Sequence, residues 1–218
     1  MKPTQIHEAM EILTDAVRNW QTPAVTIVSQ REGDPFKVLI SCILSLRTHD
    51  RTTGPASTRL FSLAATPEKM VELPPDEIAQ AIYPVGFFRT KSVTILNICK
   101  TLLDNYQGRV PDDLDELLKL KGVGRKTANL VLTLGFGKPG ICVDTHVHRI
   151  CNRWGYVLTK TPEETEFALR KKLPRRYWLS INDLLVTFGQ NLCTPVSPKC
   201  SSCPLAKMCD RVGVGKSR

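Results

Sequence analysis

The chain has 218 residues, enough for one large domain or two small ones and long enough to bury a core without covalent staples. Its 42% hydrophobic and 23% charged residues exclude a disordered, collagenous or coiled-coil chain, and no apolar stretch approaches the roughly 18 to 20 residues of a membrane span. Thirty Lys and Arg against 21 Asp and Glu leave a net charge of +9, which favours a polyanionic partner.

Taken in chain order, the periodicity is helical almost throughout. Residues 1–13 carry Glu8 and Glu11 where a signal peptide needs an apolar run, so the chain is expected in the cytosol or nucleus. Ile6, Met10, Ile12, Leu13 and Val17 predict a first amphipathic helix. Phe36, Ile40, Ile43 and Leu44 predict a buried one after Pro35. Ile95, Ile98, Cys99 and Leu102 repeat at i, i+3, i+4 and i+7. Ala128, Val131, Leu132 and Gly135 predict a helix packed tightly at its last turn, and a long final pattern runs from Tyr177 to Asn191. Prolines after Asp34, Thr66, Val110 and Thr161 punctuate these segments without marking a flexible linker. The expected fold is all-α, with about ten helices. Residues 212–218 read as a loose tail.

Three constellations carry chemistry. In Leu120-Lys121-Gly122-Val123-Gly124-Arg125-Lys126-Thr127, two glycines flank one apolar residue between helical patterns. Glycine permits close backbone approach, and the helix that follows leaves unpaired N–H groups suited to phosphate. The segment reads as a helix-hairpin-helix gripping a DNA backbone through Gly122, Val123, Gly124 and Arg125. An ordinary glycine turn is the plainer reading of the same residues. Lys126 lies just inside the new helix, where a protonated amine is disfavoured; a neutral amine is the form that attacks carbon. A cationic phosphate contact is the alternative role for it.

In Val143-Asp144-Thr145-His146, Asp144 reads as the N-cap of a helix and as a carboxylate able to stabilise a cationic sugar. His146 and His148 lack the spacing of a helical ligand pair and read as polar contacts, His146 as one to DNA. The third constellation is Cys193-x6-Cys200-x2-Cys203-x5-Cys209. Without an export signal these are thiols or metal ligands rather than disulfides. Zinc sites usually pair two short Cys-x-x-Cys knuckles, and only one such pair occurs here; an iron–sulfur cluster fits four thiolates in one compact loop. Both metals stay open on spacing alone. Lys199, Lys207 and Arg211 border the loop and would give it a basic face. Arg170, Lys171, Lys172, Arg175 and Arg176 form a further basic run, read as a solvated face.

These three elements in this order, from about Pro35 to Cys209, resemble the endonuclease III family of helix-hairpin-helix DNA glycosylases. The resemblance implies two α-helical domains flanking a DNA cleft. One is a six-helix barrel over residues 27–138 that contains the hairpin. The other joins residues 1–26 to 139–218 and holds a 4Fe-4S cluster on Cys193, Cys200, Cys203 and Cys209. It further implies a bifunctional glycosylase and AP lyase acting on duplex DNA with a damaged or abasic nucleotide; a monomer would suit a small enzyme with a DNA cleft. Such an enzyme would be cytoplasmic, with the nucleoid, in a prokaryote. Lys126 matches the family's nucleophile and Asp144 its essential aspartate, with oxidised pyrimidines as typical substrates.

Three positions depart from the family pattern. Lys121 replaces the usual Pro before the first glycine of the hairpin. Arg47 replaces the glutamine that fills the gap left by a flipped base, and Phe87 replaces a leucine wedge. Two other functions compete: a uracil or thymine mismatch glycosylase with weak or no lyase activity, and a non-catalytic, metal-stapled DNA-binding module.

Overall fold

The computed structural model describes residues 1–20 and 22–218. Among the described residues there are helices and no strands. In chain order the α-helices are α1 (Ile6–Val17), α2 (Ala24–Glu32), α3 (Pro35–Ser45), α4 (Asp50–Leu63), α5 (Pro67–Glu72) and α6 (Pro75–Ile82). They continue with α7 (Phe88–Tyr106), α8 (Leu114–Lys119), α9 (Arg125–Leu130), α10 (Thr145–Arg153), α11 (Pro162–Lys172) and α12 (Ile181–Asn191). Among the described residues that is two more than the periodicity predicts; α5 and α8 are only six residues long, with little room for a repeating pattern. No described helix is long and apolar enough to cross a membrane.

Helix starts follow from local chemistry. Asp34, Thr66, Asp113 and Thr161 each accept a hydrogen bond from a first-turn backbone N–H, and Pro occupies the first helical position after three of them. The chain divides into two compact units, Met1–Pro23 with Pro139–Arg218, and Ala24–Lys138.

In the second unit α3 is the central element. Every residue from Val38 to Leu44 is buried, so the helix is covered on all sides, by α2, α4, α7, α9 and the segment after α9. That segment, Val131–Gly135, winds as a π-helix. A Cβ on Gly135 would lie 3.2 Å from Pro35 Cα, so glycine lets this turn close against the start of α3.

In the other unit, Ile6, Met10 and Leu13 of α1 pack with Val147 and Ile150 of α10, Leu169 of α11, and Ile181, Leu185 and Phe188 of α12. Trp154 and Tyr156 complete this core. The last helix is shorter than the pattern from Tyr177 predicts. Trp178 turns its indole N–H back to Leu173 O at 2.9 Å, which ends the Arg175–Tyr177 turn before α12 begins.

Candidate active site and cysteine loop

The hairpin joins α8 to α9. Gly122 has φ of 93°, and a Cβ there would lie 2.7 Å from Thr94 Cγ2, so the turn needs glycine on both counts. Val123 is buried and its N–H donates to Leu120 O at 3.0 Å, which closes the turn. Gly124 is the N-cap of α9, with no side-chain cap and open space where a Cβ would stand. Backbone N–H groups of the α9 start are therefore approachable by a phosphate oxygen. Lys121 is exposed beside them.

Lys126 is half-buried in the first turn of α9. Burial pushes the Cys42 thiol of α3 up to about 12, and the positive charge of Lys126 partly offsets that rise. The lysine thus lies within electrostatic reach of Cys42 on α3. Elsewhere in the same unit, Arg47 and Phe87 are both exposed and both have left-handed backbones.

In the other unit Asp144 caps α10. Its Oδ1 accepts from His146 N at 2.8 Å and from Val147 N at 2.9 Å. Among the described residues Oδ2 takes no hydrogen bond, so one oxygen fixes the carboxylate while the other is available for chemistry.

The rest of α10 reaches the cysteine loop. Arg149 lies 3.0 Å from His146 Nδ1 and donates to Cys193 O at 2.9 Å. Arg153 donates to Thr194 O and Pro195 O, both at 2.7 Å, and to Cys193 Sγ at 3.4 Å. One short helix therefore carries Asp144 at its start and grips the cysteine loop at its end. Gly189 of α12 makes room for this arrangement, since a Cβ there would fall 2.4 Å from His146 Nδ1. Sequence reasoning missed Arg149, Arg153 and Gly189. The available signal was the i, i+4 spacing of the two arginines on a helix opened by Asp144.

Cys193, Cys200, Cys203 and Cys209 are half-buried free thiols that line one cavity with Arg153, Trp154, Phe188 and Leu192. Burial first, and negative charge on the other three cysteines with it, push the Cys203 thiol up to about 11. Burial raises Cys209 as well. Four thiolates cannot share this loop without a compensating cation. No group of described side chains is placed to hold a single metal ion. Zinc at about 2.3 Å from each sulfur would need the thiolates drawn tightly together, whereas an iron–sulfur cluster spans a wider set. The donor set fits such a cluster.

Lys199 and Lys207 are exposed on this loop, as is Arg211 just beyond it. The basic run elsewhere rests on aromatic rings: Arg170 and Arg175 over Trp178, Lys172 over Tyr156, Arg176 over Tyr177. His148 bonds Thr165 Oγ1 at 2.7 Å, a structural contact.

Comparison with known proteins gives consistent matches. The model for the HhH-GPD superfamily of base excision DNA repair proteins matches residues 40–175. The iron-sulfur binding domain of endonuclease III matches residues 193–209. The chain is 49% identical over 193 residues to the endonuclease III of Thermotoga maritima, covering 87% of this chain and 91% of that one. Among solved structures it is similar to a non-covalent endonuclease III–DNA complex, with TM-score 0.86, 34% identity, and 97% and 96% of the two chains covered. A trapped endonuclease III–DNA covalent intermediate aligns with TM-score 0.85 at 34% identity, covering 97% of each chain.

Proposed function

The chain belongs to the endonuclease III family within the HhH-GPD superfamily of base excision DNA repair proteins, and we propose from that membership how its own residues work on a damaged nucleotide. It is a DNA glycosylase with AP lyase activity and carries a 4Fe-4S cluster. Its substrate in our reading is an oxidised pyrimidine in duplex DNA, extruded from the base stack before reaction.

The deprotonated amine of Lys126 attacks C1′ as the C1′–N bond to the base breaks, and the base leaves with its electron pair and is protonated. Ring opening gives an imine between Lys126 Nζ and C1′. Loss of a C2′ proton then expels the 3′ phosphate by β-elimination, and hydrolysis returns the free amine. Asp144, held by its Oδ1 cap bonds, presents Oδ2 to the cationic sugar and to protons in transit. Gly122, Val123, Gly124 and Arg125 hold a backbone phosphate, with Lys121 adding charge. Arg47 and Phe87 contact the duplex at the extruded nucleotide, and His146, at the start of α10, adds a further DNA contact.

Cys193, Cys200, Cys203 and Cys209 hold the cluster, which when bound supplies the positive iron that lets four thiolates share one loop. Lys199 and Lys207 on that loop add DNA contacts. The enzyme works as a monomer, in the compartment that holds chromosomal DNA; in a prokaryote that is the cytoplasm, at the nucleoid.

The observation that carries this reading is an amine-bearing residue in the first turn of the helix that follows the phosphate-binding hairpin. A duplex carrying one oxidised pyrimidine tests it, with base release and strand incision scored separately. Release and incision at matching rates are expected. Release that needs hot alkali to reveal the break would favour the mismatch-glycosylase alternative.

A further inference from the structure

Arg47 and Phe87 adopt left-handed conformations, with φ of 52° and 59°, that side chains other than glycine rarely hold. Arg47 lies in the turn between α3 and α4, and Phe87 directly precedes α7. Phe87 is 61% exposed, and the Arg47 guanidinium lies over its ring, 5.7 Å from the centroid. An exposed aromatic in contact with an exposed arginine is a stacking platform for nucleic-acid bases. Two strained residues stay in place only if their surroundings over-determine them.

The surroundings converge on one buried cation. Lys91, in the first turn of α7, is 6% exposed. Its Nζ donates to Leu44 O at 2.8 Å, Leu46 O at 2.5 Å and Thr48 Oγ1 at 3.1 Å. All three ammonium protons are therefore used. Leu44 O and Leu46 O belong to the end of α3, where carbonyls lack helical partners and favour a cation. Thr48 Oγ1 also accepts from Gly86 N at 3.1 Å and donates to Leu46 O at 3.2 Å, so it joins the Arg47 turn to the Phe87 loop. A Cβ on Gly86 would lie 2.6 Å from Arg47 O, which shows how closely the two loops meet. The Lys91 N–H completes the seat by donating to Phe87 O at 2.9 Å. Packing alone would be served by a methionine in this place. The charge and the three donors act on the loop pair.

We propose that Lys91, acting with Thr48, is a positioning residue for base release: it holds Arg47 and Phe87 as one preorganised unit that fills the duplex where the nucleotide is extruded. The inference rests on the reading above that these two residues contact DNA. Preorganisation matters because small displacements at a reacting centre carry large rate penalties.

The test uses the cluster-loaded enzyme and two readouts. One is single-turnover base release from a duplex with an oxidised pyrimidine. The other is emission of 2-aminopurine placed opposite a non-cleavable abasic analogue, read at saturating protein so that weaker affinity does not enter. Phe87→Ala should abolish the emission change. Lys91→Met should lose most of it and slow base release about tenfold or more. The double variant should be no slower than Phe87→Ala by more than about twofold, since the two changes remove one function. Thr48→Val removes the shared acceptor while leaving the lysine, and carries the test if Lys91→Met does not fold; it too should lose most of the emission change.

If Phe87→Ala behaves as wild type in both readouts, the DNA-contact reading fails and the inference with it. If Phe87→Ala abolishes the emission change while Lys91→Met and Thr48→Val keep it, the inference alone fails. Rate losses that multiply in the double variant would also overturn it.

Discussion

Replacing Asp144 by alanine removes two things at once, a helix cap and a carboxylate, and the structure shows how to separate them. The cap consists of two bonds to Oδ1, from His146 N at 2.8 Å and Val147 N at 2.9 Å. Loss of such a cap costs about 1 kcal/mol, within a range of roughly 0.5 to 2. For a chain of this size each kcal/mol lowers Tm by about 2–4 °C. Asparagine caps as well as aspartate and offers the same Oδ1 acceptor; it gives up only the charge at the helix start, worth about 0.3–1 kcal/mol. Asp144→Asn should therefore melt above Asp144→Ala, closer to wild type. Both variants should lose base release by about 100-fold or more, since neither can stabilise a cation or take a proton. Thermal melting by circular dichroism, beside single-turnover base release, measures both quantities. An asparagine variant that releases base at the wild-type rate would refute the chemical role. One that melts as low as the alanine variant would refute the cap.

Arg153→Met keeps bulk but loses the bonds to Thr194 O, Pro195 O and Cys193 Sγ. It should hold the cluster less firmly, seen as faster bleaching of visible absorbance under chelator than in wild type. Lys121→Gln should weaken binding equally on all duplex sequences and reduce the slope of log affinity against log salt by about 1, for one phosphate contact removed. Burial lowers the Lys91 amine to about 8, below its unfolded value, so above that pH the unfolded chain binds more protons than the folded one. Wild-type stability should rise relative to Lys91→Met as pH climbs from about 8 towards 10, read by urea unfolding at both ends of that window.

The parts of the site that rest on contiguous residues were legible in the sequence. Asp144 ahead of a helical pattern reads as a cap because capping is a local interaction, and α10 begins directly after it. Asp34-Pro35 announces the start of α3 for the same reason, and Gly135 marks a close helix approach that the structure realises against Pro35. The four-cysteine spacing specifies its donor set without any tertiary information.

What was hidden depends on contacts between distant residues or on backbone states that side chains do not advertise. Nothing in Leu46-Arg47-Thr48 signals a left-handed arginine, because the residues on either side of it are bonded to Lys91 of another helix. Lys91 itself reads as a surface residue of α7, since a charge is normally solvated. Arg153 reaches the cysteine loop across some forty residues of chain. The π-helical turn at Val131–Gly135 has the same apolar spacing as an ordinary helix and carries no separate mark in the sequence.

We propose Lys126 as the nucleophile of a combined glycosylase and lyase. Borohydride reduction during turnover of a duplex with one oxidised pyrimidine tests it most directly, with wild type beside Lys126→Ala and the trapped peptide located by mass spectrometry. A covalent protein–DNA adduct is expected in wild type, on the peptide that contains Lys126, and none in the variant. An adduct that survives Lys126→Ala, or one that maps to another lysine or to the amino terminus, would contradict it.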